Sequence, residues 1–271
     1  MSSLKTIKPK LSNINGDIMH NYSNKRKEII PPEGKKLFNK LSILKRTTWI
    51  PQVKEGDGSV FASKFSGIPW LEKSEEWPVC PNCKKPMQLF VQLNLAELPE
   101  LPKGCQSEGL IQFFYCTLFE PNCGIDCVTF SPGSKSLILR IVQPKGKANK
   151  IDITSITNAF PPKLITGWEK MFDYPNWEEC KKHKIILTDE DCMLLENFEL
   201  PVSGEKLMGW PAWFQGVEYP TCPACGAQMN LVFQIDSENN IPYTFGEDGR
   251  GYITQCAKHP DNLAFTWDCI G

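Results

Sequence analysis

Long hydrophobic runs are missing from this sequence. The longest apolar stretch, around Leu110 to Phe119, falls far short of the roughly 20 residues that a membrane span requires. The first thirty residues lack the apolar segment of a secretory signal. Histidine is scarce: the chain has only His20, His183 and His259. There is no Gly-x-Ser-x-Gly elbow and no His-Glu-x-x-His pair, so two familiar hydrolytic sites are excluded. Gly246-Glu-Asp-Gly-Arg-Gly251 is glycine-rich but does not follow a phosphate-binding pattern, and a turn before a strand accounts for it. Carboxylates are plentiful, yet nothing in the pattern singles out a working pair. The chain reads as non-enzymatic, with an unrecognised carboxylate site as the alternative.

What the sequence does have is cysteine, twelve in 271 residues. Without an export signal, such cysteines point to metal ligands or buried thiols in a reducing, cytoplasmic setting rather than to disulfides. The composition, 41% apolar and 23% charged, is that of a globular chain long enough to bury a sizeable core. Charge is unevenly spread. Residues 1–50 carry eleven Lys or Arg against three acids, and the rest of the chain is net acidic. The polar, Lys-rich segment 1–45 reads as a disordered or loosely docked basic tail. Such a tail makes an RNA-linked or ribosome-biogenesis role the alternative to protein binding.

Two segments repeat one another at an offset of 142 residues. Gly67, Pro69, Glu76, Pro78, Cys80, Pro81, Cys83, Met87, Leu89, Gln92, Gly109 and Ile111 recur as Gly209, Pro211, Glu218, Pro220, Cys222, Pro223, Cys225, Met229, Leu231, Gln234, Gly251 and Ile253. Twelve identities at one constant offset predict an internal duplication. Each unit reads as a Gly-x-Pro turn, a Cys-x-x-Cys knuckle and a half-buried strand with Met87, Leu89, Val91 and Leu93 on one face. A second strand ends at Cys116 in one unit and Cys256 in the other. Further strands are expected over residues 136–143 and 264–270. Thr188 is expected to cap a helix running to about Phe198. The predicted fold is α+β: a mostly antiparallel sheet in two pseudo-equivalent halves, each with a zinc knuckle. The expected organisation is the tail over 1–45, a first repeat over 46–145, connecting strands and helices over 146–200, and a second repeat over 201–271.

Zinc favours a tetrahedron of thiolates and imidazoles, and a Cys-x-x-Cys turn supplies two of the four. Cys80 and Cys83 form one knuckle, Cys222 and Cys225 the other. Cys116 and Cys256 follow at similar range, as a hairpin returning to its knuckle would place them. Cys123 and His259 are the preferred fourth ligands, with Cys127 and Cys269 in reserve. The two zinc sites would be structural, with no coordination position open to water. The alternatives are buried thiols packing as small hydrophobes, or a redox dithiol; a redox dithiol would sit at a helix N-terminus, whereas these knuckles precede strands. Cys180-Lys-Lys-His183 also has ligand-like spacing but reads as a solvated helix face. Trp70, Trp77, Trp210 and Trp213 gather near the knuckles, either as core or as an aromatic groove for a peptide.

These residues resemble the YwqG-like family of cytoplasmic proteins. The matching pieces are Ser63 to Pro69, Glu76-Trp77-Pro78, Gln92 to Pro99, Gly109 to Phe114, Ile165 to Trp168, Asp173-Tyr174-Pro175, Gln234 to Ser237 and Ala264 to Cys269. The resemblance covers about residues 45–271 and implies an α+β, internally duplicated fold. The arrangement is also similar to programmed-cell-death-protein-2-type chaperones of a ribosomal protein. In those proteins the second knuckle follows the third cysteine closely, which supports Cys123 and His259. The implied partner is another protein or peptide, either a chaperone's client or a toxin countered by an immunity-type protein; no membrane is implied.

Overall fold

The computed structural model describes residues 32–105, 107–118, 123 and 131–270. The chain divides into two compact units, Met1–Ser42 and Ile43–Gly271. The described part of the first unit contains a helix, α1 (Pro32–Lys40), inside the segment expected to be a loose tail. Proline opens it, where no N–H is required, with Glu33 in the first turn and Lys40 in the last. The earlier residues of the expected tail lie outside the described residues.

The second unit is built on one mostly antiparallel, nearly barrel-shaped sheet of ten described strands. Its centre is a long pair, β1 (Arg46–Glu55) against β6 (Lys163–Asp173), matched from Arg46↔Asp173 to Glu55↔Lys163 with a register shift between Gln52 and Val53. Beyond β6 come β2 (Lys64–Phe65), β3 (Gln88–Asn94), β4 (Leu110–Tyr115) and β5 (Leu137–Val142). Beyond β1 come β7 (Lys206–Met208), β8 (Asn230–Asp236), β9 (Arg250–Gln255) and β10 (Leu263–Asp268). The outermost strands, β5 and β10, approach each other, which curls the sheet toward closure. Among the described residues of this unit, two α-helices are added, α2 (Trp177–Lys182) and α3 (Asp189–Asn197). Thr188 caps α3 as its sequence predicts, in a capping box with Asp191. No described helix is long and apolar enough to cross a membrane.

The strands β3, β4, β8 and β9 fall close to their predicted positions, but β3 is buried on both faces rather than half-buried. Its second face is covered by connecting segments: the Gln92 amide donates to the Val60 and Ala62 carbonyls and the Gln88 amide to the Thr157 carbonyl, while the ladder shifts register between Leu89 and Val91. A bulge re-phases the side chains of a strand. Met87 and Leu89 therefore pack into an apolar cluster around Cys80, Cys116 and Cys123, while Phe90, Val91 and Leu93 enter the main core. The same irregularity falls between Leu231 and Phe233 in β8. The main core is aromatic. Phe90, Phe113, Tyr115, Tyr243, Phe245 and Phe265 stack edge to face or tilted, with centroids from 4.2 Å (Phe113–Phe265) to 5.9 Å (Tyr115–Phe265). Each such pair adds about 0.5–1.5 kcal/mol beyond simple burial.

Two lysines lie fully buried beside the central pair. Lys206 Nζ donates to Asp173 Oδ2 at 2.7 Å and to the Trp210 carbonyl at 2.5 Å. Lys64 Nζ donates to Asp57 Oδ1 at 2.5 Å and to the Ile68 carbonyl at 2.9 Å. Asp173 also accepts from the N–H groups of Val202 and Trp210, and Asp57 from that of Ile68. Each pair thus staples a Gly-x-Pro turn to the sheet. Gly67 and Gly209 both sit at positive φ in those turns, and a Cβ on Gly209 would meet Asp173 Oδ2 at 2.5 Å. Removing one partner of a fully buried ion pair strands the other charge, which costs about 3–5 kcal/mol. Asp173→Ala is accordingly expected to lower unfolding free energy by about that much in denaturant titration. Asp57→Ala, whose carboxylate side chain is 28% exposed, should cost less.

Candidate metal centres

Each knuckle is a tight loop held by its own backbone. In the first, Cys80 N–H donates to the Lys85 carbonyl at 2.8 Å and Lys84 N–H to the Cys80 carbonyl at 2.9 Å. Met87 N–H closes it onto the Pro78 carbonyl. In the second, Cys222 N–H donates to Ala227 O, Gly226 N–H to Cys222 O and Met229 N–H to Pro220 O, at 2.8 to 2.9 Å. The turn demands positive φ at its fifth position; Gly226 adopts it freely and Lys84 does so at φ 59°. Strands β3 and β8 then carry the chain away from the knuckle, and β4 and β9 bring it back. Cys116 and Cys256 stand immediately after those returning strands.

The result is two clusters, Cys80, Cys83, Cys116 and Cys123, and Cys222, Cys225, Cys256 and His259. Within each, the four donor atoms lie within 4.8 Å of one another. The closest separations are informative: Cys83–Cys116 Sγ 3.6 Å, Cys80–Cys123 Sγ 3.8 Å, Cys225–Cys256 Sγ 3.7 Å, and His259 Nδ1 3.7 Å from the sulfurs of both Cys222 and Cys256. A tetrahedral ion with bonds of about 2.3 Å to sulfur needs sulfurs about 3.8 Å apart. Disulfide sulfurs would sit at about 2.05 Å. The donor sets therefore fit a tetrahedral metal ion.

Surrounding groups favour thiolate at the knuckle's first cysteine. Burial opposes ionisation of Cys80, but Ser136 Oγ at 3.2 Å and the N–H groups of Cys83 and Asn82 outweigh it and bring its pKa down to about 7. Cys222 is likewise opposed by desolvation, yet Asn262 Nδ2 at 3.3 Å and the N–H groups of Ala224 and Cys225 lower it to about 6. Burial pushes the thiols of Cys116 and Cys123 up. His259 is raised by its hydrogen bonds to Cys256 and Cys222.

All eight residues expected as ligands are thus brought together in two fours. The reserve Cys127 lies outside the described residues. Cys269, the other reserve, stays out of the cluster; its sulfur lies beside Gly246, and its carbonyl accepts from Gln215 Nε2. Cys180-Lys-Lys-His183 forms no ligand group among the described residues, and it is not a wholly solvated face either. Cys180 is fully buried on α2, and the His183 ring meets Trp210 edge-on at 5.6 Å. Trp70 and Trp210 are buried, Trp77 donates to the Met87 carbonyl and Trp213 stacks on Tyr252, so all four are packed into the fold.

Two features escaped the sequence reading. One is the lysine pair, although Lys64 and Lys206 stand at the same 142-residue offset as the recurring knuckle residues. The other is Glu205, fully buried, whose pKa rises to about 8 through burial first and then the nearby Asp236 carboxylate. Its oxygens accept from Asn240 N–H and from the side-chain amides of Asn239 and Asn240. No sequence signal marked it, because burial was not readable.

The fold and these clusters define a class: a largely antiparallel sheet protein with two four-donor cysteine sites that can hold metal. A family described as "Domain of unknown function (DUF1963)", a domain that YwqG-like families carry, matches residues 63–269. The chain belongs to that family. It is also similar to the "Uncharacterized protein YpfL" of Salmonella typhimurium, at 42% identity over 40 residues. That match covers 15% of this chain and 9% of the Salmonella protein.

Two outcomes follow from this geometry. Cys83→Ser and Cys225→Ser should each remove about one bound ion per chain by elemental analysis; full retention in either would remove that residue from the ligand set. A buried acid with a raised folded pKa destabilises the fold as pH rises from its unfolded toward its folded value. Stability should therefore fall between about pH 4.5 and about pH 8 through Glu205. Glu205→Gln should flatten that part of the pH–stability curve.

Proposed function

We propose that this chain is a non-enzymatic protein-binding module whose two halves, derived by internal duplication, are each clamped by a structural zinc ion. The observation that carries this reading is the pair of four-donor clusters at zinc-compatible spacing. Four protein ligands leave a tetrahedral ion no position for water, which is the arrangement of structural rather than catalytic zinc. Thiolate-rich, tetrahedral donor sets favour zinc over oxygen-seeking ions such as magnesium or calcium. Ligand binding energy then becomes folding energy, because the cluster does not exist in the unfolded chain.

Support for duplication comes from correspondences that go beyond sequence identity. Adding 142 converts the pairs Lys64↔Gln92 and Phe65↔Val91 into Lys206↔Gln234 and Leu207↔Phe233. It converts the Val79↔Pro86 bridge into Thr221↔Gln228. Gln92 accepts from Trp70 N–H and donates to the Ala62 carbonyl; Gln234 accepts from Ala212 N–H and donates to the Gly204 carbonyl. Support for protein binding comes from large apolar side chains left in solvent: Trp177 on α2, Ile186 beyond it and Met193 on α3 are 53%, 84% and 62% exposed. Tryptophan in particular dominates binding hot spots. A client chaperone or an immunity-type partner fits this description.

Purified protein is expected to carry about two zinc ions per chain by elemental analysis. Cross-linking in cells followed by mass spectrometry should recover a protein partner whose yield drops with Trp177→Ala. Turnover of a metabolite by the purified chain, with no partner recovered, would defeat the binding reading.

A further inference from the structure

The two clusters share a design but not an environment. Cys80 and Cys123 are fully buried and Cys116 is 2% exposed, so three of the first four sulfurs are sealed. Leu71, Met87, Leu89 and Phe114 pack in the same apolar cluster, with Trp77 against it. Ser136 Oγ meets the Cys80 sulfur at 3.2 Å, and Asn82 Nδ2 donates to Cys123. The second cluster has thinner cover. Among the described residues, only Met229 and Ala264 join Cys222 and Cys256 in its apolar group. Cys225 is exposed and His259 is part-exposed. The exposed sulfur also stands 3.7 Å from Cys256, close enough for small side-chain rotations to bring the two together.

We propose that the second cluster is a peroxide-operated metal-release site, while the first is a permanent clamp. The proposal rests on the zinc reading above. A thiolate held by zinc remains a nucleophile, and access then decides which sulfur reacts. The Cys225 thiolate attacks one oxygen of hydrogen peroxide. The O–O bond breaks, hydroxide leaves and Cys225 becomes a sulfenic acid. The Cys256 thiolate then attacks the Cys225 sulfur, the S–O bond breaks and a second hydroxide leaves. The two sulfurs have lost two electrons, the peroxide has gained them, and one S–S bond has formed. Two of four donors are thereby withdrawn from the ion, and Cys222 with His259 are too few to retain it. The turn from Cys256 to His259 is then no longer tied through metal to the knuckle. A thiol reductant returns both thiolates, and the site reloads.

The test uses the full chain loaded with zinc, followed by native mass spectrometry during titration with hydrogen peroxide. The expected result is loss of one of the two ions, a Cys225–Cys256 disulfide on non-reducing peptide mapping, and recovery with dithiothreitol and zinc. Loss of both ions together, earlier oxidation of the first cluster, or retention of both ions through the titration would overturn the proposal. Protein that takes up no zinc before peroxide is added overturns the zinc reading, and the proposal with it. As an independent check, iodoacetamide should label Cys225 about tenfold faster than Cys83; equal labelling would count against the exposure argument.

Discussion

Four soft donor atoms crowded within a few ångströms are unfavourable company unless something gathers them. In this protein the gathering is done by paired strands. The β3–β4 and β8–β9 hairpins fix how far the chain travels before it returns, and each returns a cysteine to the mouth of its own knuckle. The bulges at Leu89/Val91 and Leu231/Phe233 serve the same end. They let one strand point its first side chains toward the sulfur cluster and its later ones into the aromatic core. Knuckle and core are thereby linked mechanically, and a metal ion bound to the cluster would stiffen both.

The buried lysines perform a related task without metal. A Gly-x-Pro turn carries backbone carbonyls that must find donors once it packs against a sheet. Lys64 and Lys206 supply the donor, and Asp57 and Asp173 balance the charge while accepting the turn's own N–H groups. Net stability from such pairs is small, because desolvation offsets attraction. Their contribution is geometrical: they set where each knuckle begins relative to the central β1–β6 pair. The surroundings of the two clusters differ. Three cysteines of one cluster are buried beneath apolar side chains, whereas Cys225 of the other is exposed, so the two candidate sites differ in solvent access.

Much of the architecture was readable from local signals. Alternating apolar residues marked β3 and β8, Thr188 followed by a run of acids marked the start of α3, and the constant offset related the two knuckles. Other elements were not readable. The central strands β1 and β6 interleave Lys, Arg, Thr and Glu with their apolar residues, and much of each is part-exposed, so neither periodicity nor hydrophobicity distinguished them from linker. The double-sided burial of β3 depended on distant connecting segments, around Val60, Ala62 and Thr157, that cover its second face and leave no mark in the strand's own residues. Cys180 looked solvent-facing among lysines, yet helix α2 turns it inward.

By itself the sequence determined the cysteine spacing, the two knuckle turns, the recurrence of residues at a constant offset and the candidacy of Cys116 and Cys256 as third members, because these depend on short-range chain geometry and on side-chain chemistry. Only the tertiary structure decided that Cys123 and His259, rather than Cys269, close the described clusters. It alone decided that the second cluster leaves Cys225 exposed while the first has no exposed member, and that two lysines and a glutamate lie in the interior. Those outcomes depend on which surfaces distant segments cover when the sheet curls, and no local pattern in the chain encodes that.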